Sequence, residues 1–321
     1  MRILVTGGTG FLGRHVAHLL VLKGHQVRLL GRDMRDVADV LALGAEPWVA
    51  DLRHHTAIIA ACAGVDAVIH AGALSTPWGR RADFIATNVG GTEAVIAGCL
   101  RQRVQRLIYI SSPSVTFAGH HVIAQREDVP FPRHFSSWYA ESKKLGEDRV
   151  RTVAAQLETI ILRPKAIFGP GDRALLPRML AAAQRGRLPQ IGDGRNHVDL
   201  TYVENVAHAI QLALTARAAI GHTYTITNHE HIALWPLIRE LLSARGLATN
   251  LRRIPLPAAL LAATVMEALA RGTNREPLLT RYTAQLLACT QTYDTQAAQR
   301  DLGYHPLVTV AEGVRRTVRG D

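Results

Sequence analysis

Tyr139 and Lys143, in the run YAESK, are the two side chains whose types and spacing best suit proton transfer. Four residues apart, they project from one face of a helix, one turn above the other. An ammonium held there, with a further positive charge nearby, stabilises a phenolate and lowers a pKa that starts at about 10. A tyrosine tuned in this way gives a proton to a carbonyl oxygen or takes one from an alcohol. Taken alone, Tyr-x-x-x-Lys marks many half-exposed amphipathic helices. Its weight here comes from its slot after a fifth strand and downstream of the serine pair Ser111-Ser112.

That slot is defined by elements that begin at the first residue, with MRILVTGGTGFLG. Residues 2–5 are a short apolar run that stops at Thr6-Gly7-Gly8-Thr9-Gly10, and residues 11–23 then carry apolar side chains at helical spacing. This predicts strand, glycine turn, helix. Gly7, Gly10 and Gly13 let the backbone turn tightly and come close to a diphosphate, whose charge sits on the free amides and positive end of the new helix. The spacing is G-x-x-G-x-x-G and not the commoner G-x-G-x-x-G, yet a nucleotide cofactor remains the natural tenant. A second strand at 26–30 ends in Gly31-Arg32-Asp33. An acid at the end of this strand would bind the adenosine ribose, whereas a small residue followed by arginine makes room for a 2′-phosphate, so Arg32 favours NADP(H), with NAD(H) as the alternative. A third strand is expected at 48–52, with Asp51 placed to accept from the adenine amino group and Leu52 beside it. A fourth at 67–70 ends in Ala71, Gly72 and Ala73, small enough for close approach to the cofactor. Residues 83–101 read as one long helix carrying Asn88, and 107–110 as the fifth strand. Strands alternating with helices at this interval specify an α/β fold, a Rossmann-type doubly wound parallel sheet.

Five landmarks in order give the first half of the chain its likeness: TGGTGFLG at 6–13, NVGGT at 88–92, YISSPSV at 109–115, YAESK at 139–143 and LRPKAIFGPGD at 162–172. The chain resembles the extended short-chain dehydrogenases/reductases. SSPSV, GPGDRALLPRML and IGDGRNHVDLTYVENVAHA look most like the 3β-hydroxysteroid dehydrogenase-like branch, especially its bacterial 2-alkyl-3-oxoalkanoate reductases. The resemblance implies Tyr139 as general acid/base, Lys143 holding the nicotinamide ribose and depressing the Tyr139 pKa, and Ser112 donating to the substrate oxygen. Ser112 is chosen over Ser111, whose side chain should point to the opposite face, and over Ser114. Gly7, Gly10, Phe11 and Leu12 would approach the diphosphate, and Pro164 would border the cofactor. Asn88 would sit near the lysine, either touching the cofactor or satisfied within its helix.

The expected function is a hydride transfer between NADP(H) and a hydroxyl/ketone pair on a hydrophobic substrate such as a 2-alkyl-3-oxo acid or 3-ketosteroid. Two alternatives stand beside it: an NAD-dependent sugar-nucleotide epimerase or dehydratase, which shares the Ser, Tyr and Lys, and a non-catalytic NADP(H)-binding regulatory protein, a kind that typically loses the tyrosine or lysine kept here. The Rossmann part is expected over 1–165 and about 197–228, and a smaller, mainly helical substrate-binding part over about 166–196 and 229–321. Within these, helices are expected at 175–185 and 201–216, a strand at 223–226, and a core-facing helix at 256–269, or else a greasy lip that admits an acyl chain or touches a membrane.

The 321 residues are 48% hydrophobic and 20% charged, an ordinary soluble composition. The net charge of +11 comes from dispersed arginines with no aromatic-interleaved basic stripe, which argues against nucleic acid and for anionic cofactors, acidic substrates or an anionic membrane surface. Cys62, Cys99 and Cys289 have no metal-like spacing and read as reduced, and no signal peptide is recognised, so a cytoplasmic enzyme is expected. The histidines offer pairs such as His15/His18 and His229/His231 but no third ligand, so no metal is expected. A homodimer is expected through the helices around 83–101 and 139–155.

Overall fold

The computed structural model describes residues 1–172, 176–273 and 276–319. Its centre is a seven-stranded sheet, all parallel: β1 (Arg2–Thr6), β2 (Gln26–Gly31), β3 (Glu46–Val49), β4 (Ala67–His70), β5 (Arg106–Ile110), β6 (Glu158–Pro164) and β7 (Thr223–Ile226), in the order β7-β6-β5-β4-β1-β2-β3. The central strands are apolar without a polar face because both of their faces are covered. Ile3, Val5, Leu29, Ile69, Ile108 and Leu162 pack on one side under helices Phe11–Leu22 and Val203–Ala213. Leu4, Leu30, Val68, Leu107, Tyr109 and Ile161 pack on the other, under His55–Ala61, Gly91–Arg101 and Trp138–Thr152. Chain direction across the sheet reverses between β1 and β4, so the loops that leave these strands part and open a crevice at their carboxyl ends, where ligands bind in such sheets.

The third strand lies earlier than the sequence suggests. It pairs Glu46 with Arg28 and ends at Val49, anchored by an Arg28–Glu46 ion pair of 3.0 Å. Pro47 is tolerated because the strand is at the sheet edge. Asp51 and Leu52 therefore stand in the following turn. The helix expected over 83–101 is continuous but not uniform: Arg81–Phe84 and Gly91–Arg101 are α-helical, and Ile85–Gly90 between them is a π-turn. The 201–216 expectation divides into a strand, Thr201–Tyr202, paired with Ile167–Phe168, and the helix Val203–Ala213. Of the helix expected at 175–185, Leu175 lies outside the described residues and Leu176–Gln184 is helical.

A second, four-stranded sheet was not foreseen. It joins His231–Ala233, His197–Asp199, Gln291–Tyr293 and Val122–Gln125. None exceeds four residues, too few for a period to show. The Leu256–Thr273 helix turns one face to the core, as expected, and leaves a second apolar face outside. Ala259, Ala263, Glu267 and Ala270 face inward, while Leu261, Val265 and Leu269 are 70%, 53% and 67% exposed. Small side chains let it lie close to the Arg281–Ala288 helix, and Glu267 accepts from the Arg281 amide (2.7 Å) and Nε (3.0 Å). Among the described residues no helix is long and apolar enough to cross a membrane.

Candidate active site

At the carboxyl end of β1 the chain has almost no spare space. Gly7 has φ +66°, and a Cβ there would stand 2.5 Å from the Gly72 Cα, so the turn after β1 lies directly on the turn after β4. A Cβ on Gly13 would fall 2.1 Å from the Gly7 carbonyl oxygen. The Phe11–Leu22 helix starts from Gly10 in extended conformation with no side-chain cap. Its first amides are thereby left to a ligand. Thr6 Oγ1 and His70 Nδ1 are 2.7 Å apart, Thr6 Oγ1 accepts from the Gly72 amide (3.2 Å), and His70 Nε2 lies 3.1 Å from Thr92 Oγ1. Burial drives His70 down to about 3, so this brace stays neutral.

The crevice has a volume of about 510 Å³. Its lining includes Gly7, Gly10, Phe11, Leu12, Ala71, Gly72, Ala73, Ser112, Tyr139, Lys143 and Pro164, which the sequence had placed at the cofactor or substrate. Tyr139 and Lys143 come from the Trp138–Thr152 helix, whose start is capped by Ser137 Oγ accepting from the Ala140 amide at 3.2 Å. Ser112 follows β5. Ser111 turns away, as expected, and donates to Glu147 Oε1 at 2.6 Å. Ser112 Oγ accepts from the Ser114 amide at 3.2 Å.

Lys143 is buried, and its Nζ sits 4.0 Å from the centre of the Tyr109 ring. Tyr109 can slide beneath the helix because residue 146 is glycine; a Cβ there would be 2.1 Å from the Tyr109 hydroxyl oxygen. Desolvation pushes Tyr139 up to about 12, opposed by a hydrogen bond with Ser112. It also brings Lys143 down to about 7, opposed by the charge of Glu147. The expected depression of the phenol by the amine is thus not a property of the protein's own groups. Lys143 is buried and Tyr139 half-buried, and removal from water favours the neutral form of each.

Four of the anticipated residues do not line the crevice. Asn88 is buried, and its amide is spent on the protein: Oδ1 accepts from the Leu74 amide (2.7 Å), while Nδ2 donates to the Leu74 carbonyl (3.0 Å) and to Ser142 Oγ (2.8 Å). It braces the helix that carries Tyr139 and Lys143. Leu52 packs into the core against Gly72 and Gly91. Asp51 is held by Arg53 through Nε (2.9 Å) and Nη2 (2.8 Å), which keeps its carboxyl well below the usual range. Arg32 is exposed beyond the end of β2.

Three contributors escaped the sequence reading. Thr9 fills the space a side chain at residue 31 would need, its Oγ1 lying 2.3 Å from where a Cβ on Gly31 would be. Tyr109 supplies the ring under the ammonium. Glu147, fully buried, accepts from Ser111, from Arg163 Nε (2.8 Å) and Nη2 (2.7 Å), and from Arg151 Nη2 (2.8 Å). Glu147 alone had a signal: it lies four residues after Lys143, on the same helical face.

The cradle of glycines that no Cβ could enter, the uncapped amides and the buried ammonium fit a dinucleotide with its diphosphate and ribose. Together with Ser112 and Tyr139 on a doubly wound sheet, they define an extended short-chain dehydrogenase/reductase, an oxidoreductase working between CH–OH and C=O. The chain belongs to the 3-beta hydroxysteroid dehydrogenase/isomerase family, which it matches over residues 4–257. It is similar to a 2-alkyl-3-oxoalkanoate reductase of Stenotrophomonas maltophilia, 39% identical over 328 residues covering 98% of each chain. The crystal structure of gox2253 matches its fold with a TM-score of 0.81 at 28% identity, over 99% of this chain and 97% of that one. A dTDP-glucose 4,6-dehydratase of Streptomyces venezuelae, solved with NAD and DAU bound, shares the fold with a TM-score of 0.80 at 24% identity, over 100% and 96%.

Proposed function

We propose that this protein reduces a ketone, or oxidises the matching secondary alcohol, on a hydrophobic substrate such as a 2-alkyl-3-oxo acid or 3-ketosteroid, using NADP(H). The observation that carries the reading is the meeting of Ser112, Tyr139 and Lys143 on one wall of the crevice that the glycine turn opens. When bound there, the nicotinamide supplies or accepts a hydride. Tyr139, at about 12, keeps its proton at neutral pH and so is in the form that can give it to a carbonyl oxygen. Ser112 holds that oxygen, and Lys143 offers its ammonium to the ribose and, through it, to the phenol.

NADP(H) is favoured over NAD(H) by the end of β2. An acid at residue 31 would collide with Thr9, and of the acids nearby Asp33 is paired with Arg35 and Asp51 with Arg53. Arg32, exposed just beyond β2, is the cation that we assign to a 2′-phosphate.

Tyr139→Phe is the direct test of the catalytic assignment. Turnover should fall by about 10²–10⁴-fold, the usual contribution of a positioned acid, while the Kd for NADPH stays within about twofold. Near-normal turnover in this variant would refute the role.

A further inference from the structure

The chain has only four lysines, Lys23, Lys143, Lys144 and Lys165, among 37 basic residues. Two of the four, Lys143 and Lys165, are buried. The buried arginines pair with acids, Arg28 with Glu46, Arg106 with Glu158 and Arg163 with Glu147, whereas neither buried lysine forms an ion pair among the described residues. The function proposed above uses Lys143. It gives Lys165 nothing to do.

Lys165 stands at the carboxyl end of β6, between Pro164 and Ala166, both of which line the crevice. Its backbone is pinned: the amide donates to the Ile226 carbonyl (3.0 Å), and its carbonyl accepts from Thr201 Oγ1 (2.6 Å). The ammonium donates to Gln291 Oε1 at 2.6 Å and lies 5.8 Å from the centre of the Tyr293 ring. Among the described residues no carboxylate pairs with it at contact distance. Asp199 is the acid whose charge it feels, but Asp199 is engaged by His231 Nδ1 (2.6 Å) and by the Tyr293 amide (2.8 Å). An ammonium has three donors, and burying it beside one neutral acceptor leaves it short of both hydrogen bonds and negative charge.

The path from this ammonium to the reacting phenol is aromatic. Tyr293 packs with Phe117, Val122 and Cys289. The Tyr282 ring lies 6.3 Å from that of Phe117, and Tyr282 feels the charge of Tyr139 while Tyr293 feels that of Tyr282. A largely aromatic wall thus runs from the catalytic tyrosine to a cation with no ion-paired carboxylate, the neighbouring Asp199 being engaged by His231 and the Tyr293 amide.

We propose that Lys165 binds the carboxylate of the substrate, so that the crevice is built for hydrophobic 3-oxo acids and their 3-hydroxy counterparts and not for neutral ketones. This rests on the reductase reading for the identity of the ketone, but the anion site can be tested without turnover. Calorimetric titration of the wild type, Lys165→Met and Lys165→Arg with 3-hydroxydodecanoate and with its methyl ester, each in the presence of NADP, separates charge from fit. Loss of one charge-assisted contact should weaken acid binding by about ten- to hundredfold in Lys165→Met, with partial recovery in Lys165→Arg and no change for the ester. An equal effect on acid and ester, or no effect on either, would overturn the proposal. Unaltered NADP affinity in Lys165→Met shows that the variant is folded. Lysine-dependent binding of the acid without any NADPH-driven reduction of the 3-oxo acid would sink the reductase reading and leave the anion site standing.

Discussion

At the scale of single residues the site depends on two groups being withdrawn from water in opposite senses of charge. Tyr139 stands at about 12 and Lys143 at about 7, so near neutral pH the phenol is protonated and the amine is only partly so. The ammonium is the form that can hold a ribose and stabilise a phenolate. It is present below about 7 and lost as pH rises through that value. The pH profile of kcat/KM for NADPH, which reports the free enzyme, should accordingly fall on the alkaline side of about 7. Lys143→Arg, which does not deprotonate, should flatten that fall at a lower absolute rate. A wild-type profile level between about pH 6 and 9 would show that the charge of Lys143 is not used in this way.

At the scale of elements the question is what keeps the helix, the β5 turn and the end of β6 in register. Glu147 joins all three: it rides on the Trp138–Thr152 helix, takes a hydrogen bond from Ser111 next to Ser112, and pairs with Arg163 next to Pro164. Both side chains of the Glu147–Arg163 pair are at most 2% exposed. Removing one partner leaves the other charge buried and alone, so Glu147→Ala should destabilise the fold by about 3–5 kcal/mol, read by denaturant unfolding. A loss below about 1 kcal/mol would mean that water reaches Arg163 readily. This network also marks the limit of what the sequence discloses. The glycine turn, the Tyr139–Lys143 pair and most strands of the main sheet are local patterns, each visible within a dozen residues. Glu147 meets Ser111 and Arg163 across the fold, and Asn88, within the π-turn, reaches Leu74 and Ser142. No local period encodes such contacts. The three- and four-residue strands of the second sheet were missed for the same reason, and β3 was misplaced because its start is set by the Arg28–Glu46 pairing and not by hydrophobicity.

At the scale of the whole molecule, a doubly wound sheet with a glycine-lined crevice serves both net reductases and enzymes that recycle a bound nicotinamide. The fold alone does not separate them. The proposal of net reduction draws instead on Thr9 in the space of an acid at residue 31, arginines beyond β2, an aromatic wall beside Tyr139, and a net charge of +11 that favours anionic ligands. The measurement that goes most directly to the central claim is NADPH and NADH oxidation by the purified wild-type protein against a panel of 2-alkyl-3-oxo acids, 3-ketosteroids and sugar nucleotides, with products identified by mass. The account predicts stoichiometric consumption of NADPH, faster than of NADH, with one ketone reduced to its secondary alcohol per cofactor. Interconversion of a sugar nucleotide by protein that retains NAD and consumes no NADPH would contradict it.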